Sequence, residues 1–372
     1  MSPDARHPAP AEPSDLVDPG VPVEVASRPA HATTGDRWRR AAVYRVHTAS
    51  FADADGDGVG DLAGLTSHIP YLRDLGVDAV RLDAGAGAPE EIGALAAALH
   101  AVQLGLILEE ADAGEDETAR DWSAHDVDAL CRDGRLLVLR RGEGAAEPAA
   151  PEPAAIDVDL TAEEFEAAGL RRRIEQALEA ARVAGGAPTW VLSRPGAVRH
   201  ATRFAFLPGM GAGPDAVEQW LREGGDIEEV PVALGLARAR AASLFVLALP
   251  GGVGLLQGEE LGLQEAGGAR SPQPPWSGGL SVEAESFDPG STLTMYRAAL
   301  AYRAYLAGEE PLDWVDTGRD DVLHVRRGPW NAVLHTGVAP YPMPDGRVLL
   351  ASRVLPDPAR IPADTAVWIL DT

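Results

Sequence analysis

Lysine is missing altogether: all 32 basic residues are arginine. Schiff-base and pyridoxal-phosphate chemistry need a lysine amine, and a P-loop needs a lysine for its phosphates, so these classes are excluded. Cysteine is nearly missing. A lone Cys131 cannot close an internal disulfide or build a thiolate metal cluster, and it suits a reducing compartment. It sits mid-pattern in Val127-Asp128-Ala129-Leu130-Cys131, which reads as a buried helix position rather than a nucleophile. Histidine pairs at spacing four do not occur. Basic charge is scarce beside acidic: 57 acids leave a net charge of −25, which argues against nucleic acid or an anionic membrane surface as partner. No apolar run reaches the ~18 residues of a membrane helix. Residues 1–36, rich in Pro, Ala and Asp, lack the apolar segment of a secretory signal and read as a disordered tail, with cytoplasm the expected location.

What the chain does have is an acidic stretch, Asp53-Ala54-Asp55-Gly56-Asp57-Gly58-Val59-Gly60-Asp61. Carboxylates at positions one, three, five and nine, with a carbonyl at position seven, are the spacing that wraps one hard cation. Asp53, Asp55, Asp57, Asp61 and the Val59 carbonyl are therefore candidate calcium ligands. An EF-hand would carry a glutamate at position twelve, where Gly64 stands, so the site would lie outside that fold. The plainer alternative is an acidic surface turn.

The 372 residues suffice for two domains. Seven strand candidates, near residues 44, 80, 107, 138, 158, 191 and 254, alternate with helical patterns: 62–75, 90–104, 121–132, 162–183, 236–249 and 291–306. Residues 142–153 read as a Gly/Ala/Glu/Pro linker. Such alternation means βα units on a parallel sheet, here a barrel with function at the loops after the strands. From about Leu312 short strands at 322–325, 332–335, 347–350 and 366–369 read as a small all-β domain. The expected division is a tail to residue 36, a truncated (β/α) TIM-type barrel over 37–308, and a C-terminal β-sandwich over 309–372.

Ala42-Val43-Tyr44 through Ser50-Phe51, then Asp53 to Leu62, Tyr71-Leu72 and Leu75-Gly76-Val77-Asp78-Ala79-Val80, resemble the opening of the α-amylase family of glycoside hydrolases, in its α-glucosidase and oligo-1,6-glucosidase branch. Trp190-Val191-Leu192-Ser193 is similar to the family's seventh strand, and Ala248 to Gly262, with Gln257-Gly258-Glu259-Glu260, to its eighth strand and loop. The resemblance implies a TIM barrel, a calcium in the acidic loop, a C-terminal sandwich and an α-glucan or oligosaccharide ligand.

The departures matter as much. The resemblance implies a nucleophilic Asp after strand four, a Glu acid/base after strand five and an Asn-His-Asp after strand seven. Here Ser193 is followed by Arg194-Pro195-Gly196, Leu139 by Arg140 where Gly-Glu is expected, and the span from Leu108 to Leu136 has room for one helix only. Retaining hydrolysis needs two carboxyl groups about 5 Å apart, and an arginine cannot donate a proton near neutrality. Catalysis in the family's manner is not expected. Relocated carboxylates stay open as an alternative: Asp83, in an Arg81-Leu82-Asp83 copy of the Arg-x-Asp motif, with Glu109 and Glu110 at the next strand end. So does a decayed remnant without ligand. Glu259 and Glu260 read as scaffold, His47 and His200 as packed residues, and Trp276 as the best sugar-stacking candidate in a loop where a structural turn is the commoner use. The strands at 106–108 and 136–139 are expected to pair directly, bringing Arg140 beside Glu109 and Glu110.

Overall fold

The computed structural model describes residues 38–83, 87–109, 136–139, 155–195, 197–206, 217, 219–220, 223, 231–265, 274–276, 281–306 and 311–371. The expected tail, the helix over 121–132, the linker over 142–153, Cys131, Glu110 and Arg140 lie outside them, as does the side chain of Asp83.

Seven apolar, β-branched-rich segments form the strands β1 (Ala42–Arg45), β2 (Ala79–Asp83), β3 (Gly105–Glu109), β4 (Leu136–Leu139), β5 (Ala155–Asp159), β6 (Ala187–Val191) and β7 (Gly252–Leu256). They make one all-parallel sheet in the order β4-β3-β2-β1-β7-β6-β5. The first strand pairs with the last, Ala42 opposite Val253, as a closing barrel requires. The expected direct pairing of β3 and β4 is present, Leu106 opposite Leu136 and Glu109 opposite Leu139. Among the described residues no pairing joins β4 to β5. The architecture is a truncated TIM-type barrel followed by a small β-sandwich.

The helices follow their apolar periodicity. The expected helix over 62–75 is two, α1 (Leu62–Ser67) and α2 (Ile69–Leu75), meeting at His68. Pro70 explains the break: without an N–H it is tolerated in the first turn of a new helix but not in mid-helix. Next come α3 (Pro89–Ala101) and α4 (Ala167–Ala184), which buries Leu170, Ile174, Ala177 and Ala181 at three- and four-residue spacing. The short α5 (His200–Arg203), α6 (Val232–Leu247), α7 (Val282–Ser286) and α8 (Thr292–Leu306) complete the set.

The antiparallel part has a five-stranded sheet, in the order β12-β14-β10-β9-β8, and a β11-β13 pair. Its strands are β8 (Asp313–Trp314), β9 (Val322–Arg327), β10 (Trp330–His335), β11 (Tyr341–Pro342), β12 (Arg347–Ala351), β13 (Arg360–Ile361) and β14 (Thr365–Leu370). Helix α6 links it to the barrel: Trp368 Nε1 donates to the Leu244 carbonyl at 2.8 Å, and Arg238 pairs with Asp364 at 3.0 Å.

Side chains alternate across a strand, so Val43 and Arg45, Ala79 and Arg81, Ile107 and Glu109 share one face. Val43, Ala79 and Ile107 pack with Trp38 and Ala41 into an apolar layer. One step further toward the C-terminal strand ends, the same face carries Arg45, Arg81 and Glu109. On the opposite face Tyr44, Val80, Leu82, Leu106 and Leu108 are buried.

Candidate functional site

Barrel enzymes work at the C-terminal ends of their strands. Here that end holds ion pairs. Glu109, 3% exposed, receives Arg45 and Arg81 on one oxygen, each at 2.9 Å. Arg81 also reaches Asp157 on β5 at 3.0 Å, and Arg194 pairs with Asp159 at 2.9 Å. Burial opposes the Arg81 charge, but Asp157 and Glu109 outweigh it and raise its pKa above the ordinary value. Of the carboxylates left open as a relocated pair, Glu109 is thus held between two guanidiniums, and Asp83 stands opposite it in the β2–β3 register. Its expected partner Arg140 lies outside the described residues, as does Glu110.

The acidic loop is tied by its own backbone. Gly60 and Asp61 donate to the Ala49 and Ala52 carbonyls, each at 2.9 Å. Gly56 (φ +82) and Gly58 (φ +88) take left-handed conformations and donate to the two Asp53 oxygens at 2.7 and 2.8 Å. Those amides, Gly58 first, hold the Asp53 carboxyl below the usual range. Asp61 caps α1 through the Gly64 amide at 2.5 Å. One oxygen each of Asp53, Asp55 and Asp61 lie within 4.8 Å of one another. Asp57 stands outside that group, its Oδ1 accepting from the Val59 amide at 2.7 Å.

Behind the sheet, the loop after β7 buries two consecutive glutamates. Glu260 accepts from Tyr44 at 2.7 Å and Tyr71 at 2.5 Å; Glu259 accepts from Tyr296 at 2.9 Å and the Leu256 amide at 3.3 Å. Burial pushes Glu259 up to about 8 and raises Glu260 as well. Arg199, 2% exposed, is their cationic neighbour, its own pKa lowered by burial. His200 is buried between Ser193 (2.7 Å) and Ser243 (3.2 Å), and burial, then Arg203 and Arg199, lowers it to about 3. His47 is half-buried, its Nδ1 3.0 Å from Ser50 Oγ.

Trp276 is committed to the scaffold. Its Nε1 donates to the Phe51 carbonyl at 3.2 Å and its ring lies 3.8 Å from that of His68. Sequence reasoning missed Arg45, Asp157 and the Ser243–Tyr296 connection. Arg45 and Arg81 standing opposite each other on two adjacent strands was the available signal.

The model of the α-amylase catalytic domain matches residues 45–84, the span from the end of β1 through the acidic loop to β2. Over that span the chain resembles the α-amylase family. Oligo-1,6-glucosidase IMA5 of Saccharomyces cerevisiae is 54% identical to it over 43 residues, 12% of this chain and 7% of that protein. The α-glucosidase of Pediococcus pentosaceus is 46% identical over 52 residues, 14% and 9% of the two chains. The match thus spans less than a tenth of these curated relatives. Among solved structures, a mutant of MutB in complex with its substrate sucrose superposes on this chain with a TM-score of 0.63 at 14% identity, covering 90% of this chain and 99% of that one. At that identity the likeness speaks for the fold alone. The match takes in the acidic loop together with Arg45 and Arg81 of the ion pairs, and leaves Glu109 and Asp157 outside it.

Proposed function

We propose that this α-amylase-family relative is a non-catalytic member that associates with α-glucosides or a protein partner rather than hydrolysing glycosidic bonds. The observation that carries this reading is Glu109 clamped by Arg45 and Arg81, with Arg81 also bound to Asp157. A retaining glycosidase needs one carboxylate free to attack and another able to carry a proton, about 5 Å apart. One oxygen of the buried Glu109 is taken by both guanidiniums, so that oxygen is engaged in ion pairs rather than free to attack a substrate. Arg194-Pro195-Gly196 in place of Asn-His-Asp supports the same conclusion. The α-glucoside ligand is inferred from the relatives' names, which are those of α-glucosidases and an oligo-1,6-glucosidase.

Calcium belongs to the same proposal. Ligand oxygens of one calcium lie about 2.3–2.6 Å from it, hence up to about 5 Å from each other. The 4.8 Å spread of Asp53, Asp55 and Asp61 fits that ion. Its contribution would be structural, neutralising the loop between β1 and α1.

The test is an assay of purified protein on maltose, isomaltose and an aryl α-glucoside, with calorimetric titration of the same sugars. No turnover above background is expected. Turnover abolished by Asp83→Asn would overturn the reading in favour of relocated carboxylates.

A further inference from the structure

We propose that Glu259, Tyr296, Ser243, His200 and Ser193 form one reversible hydrogen-bond chain, whose polarity is set by the proton on Glu259 and read out at the Ser193 hydroxyl two residues beyond β6. All five side chains are buried: Glu259, His200 and Ser193 are each 3% exposed, Ser243 2% and Tyr296 1%. The links run Glu259 Oε1 to Tyr296 OH at 2.9 Å, Tyr296 OH to Ser243 Oγ at 2.7 Å, Ser243 Oγ to His200 Nε2 at 3.2 Å and His200 Nδ1 to Ser193 Oγ at 2.7 Å. A small cavity, of about the size of one water molecule, borders Ser243, Tyr296 and Glu259 and is otherwise lined by apolar side chains such as Trp190 and Leu247.

Counting hydrogens gives the two states. Each hydroxyl has one hydrogen and lies between two neighbours, and His200 stays neutral well above pH 3. With Glu259 protonated, Glu259 donates to Tyr296, Tyr296 to Ser243, Ser243 to Nε2, and Nδ1–H to Ser193. With Glu259 ionised every link reverses: Ser193 donates to Nδ1, Nε2–H to Ser243, Ser243 to Tyr296, and Tyr296 to the carboxylate. The change balances without a co-reactant. Each hydrogen moves one link along, from Glu259 to Tyr296, Tyr296 to Ser243, Ser243 to Nε2 and Nδ1 to Ser193. The proton lost to water is the one Ser193 carried. The His200 amide donates to Ser193 Oγ at 3.1 Å in both states.

The groups facing Glu259 decide which state prevails. Tyr296 comes from α8 and Ser243 from α6; Arg199 precedes α5; the Leu256 amide and Glu260 belong to its own loop. Glu260 is itself held by Tyr44 and Tyr71, and Glu265 also lies near Arg199. Among the described residues, Glu259, Glu260 and Glu265 thus share the Arg199 guanidinium, the first two buried, which favours a proton on one of that buried pair. Burial placing Glu259 at about 8 agrees.

The experiment is nitrogen-15 NMR of histidine-labelled protein between about pH 6 and about pH 10. The His200 signal is identified by its loss in His200→Asn. In the unaltered chain the ring hydrogen is expected on Nδ1 at the low end and on Nε2 at the high end, crossing near 8. Glu259→Gln keeps a donor toward Tyr296 at every pH and should hold the Nδ1–H form throughout; Tyr296→Phe cuts the chain and should abolish the pH response. A His200 tautomer that is the same at both ends of the range in the unaltered chain would overturn the proposal, and so would an undiminished switch in Glu259→Gln. The first result needs His200→Asn for assignment only, and depends on neither Glu259→Gln nor Tyr296→Phe folding.

Discussion

Two acidic clusters of the chain behave in opposite ways. In the loop over 53–61 the aspartates are exposed or half-buried, and backbone amides hold Asp53 below the usual carboxylate range. In the loop after β7 the glutamates are buried, and desolvation raises both. The chemical group is the same. What differs is the partner: amide dipoles and water favour the anion, whereas tyrosine hydroxyls in an apolar layer cannot compensate for lost hydration. A cluster of acids in a sequence therefore says little about charge until its depth is known.

Removing Arg199, the cation beside the glutamates, should break the comparison most severely. Arg199→Ala is expected to cost about 3–5 kcal/mol in denaturant unfolding near neutral pH, because it leaves buried carboxylates without a counter-charge. A loss below about 1 kcal/mol would mean that neither glutamate carries charge there.

Next in size is the pH dependence. Glu259 is raised from 4.5 to about 8, so over that window the folded state holds a proton that the unfolded state has released. Stability should fall as pH rises through the window, by a few kcal/mol, and level off above it. Asp53, being lowered, works in the opposite sense: its contribution is lost as the medium becomes acidic. In Glu259→Gln the decline over the glutamate window should shrink; an unchanged slope would assign it to other groups.

The smallest effect belongs to the exposed loop. Calcium at about a hundred times its dissociation constant should stabilise the fold by about 2–3 kcal/mol. Asp53→Asn should remove most of that gain, and Asp57→Ala should remove less, since its carboxylate faces the Val59 amide. Equal losses in the two variants would place Asp57 among the ligands.

Much of the framework was legible because parallel strands buried on both faces read as short apolar runs. All seven barrel segments fall where those runs lie, and β3 and β4 pair directly, as their separation in sequence predicts. The break at His68 was missed because Leu62 to Leu75 keeps its apolar period across Pro70. The ion pairs were not legible: Arg81 and Asp157 are 76 residues apart, and only the folded sheet brings them together. The same is true of Tyr296 and Ser243, 53 residues apart on different helices.

The pairing of β1 with β7 has a consequence for how the chain is made. His47, just beyond β1, is anchored by Gln257, 210 residues later. At about 5–20 residues per second of synthesis, β1 leaves the ribosome roughly 10–40 s before its neighbour exists. During that interval one backbone edge of β1 has no strand to pair with, while β2 can already dock on the other. Contacts of such sequence separation form slowly, and an open edge invites pairing with other chains. The acidic loop directly after β1 places like charges beside that edge in every nascent copy, so mutual repulsion guards the strand until the barrel's last stave arrives.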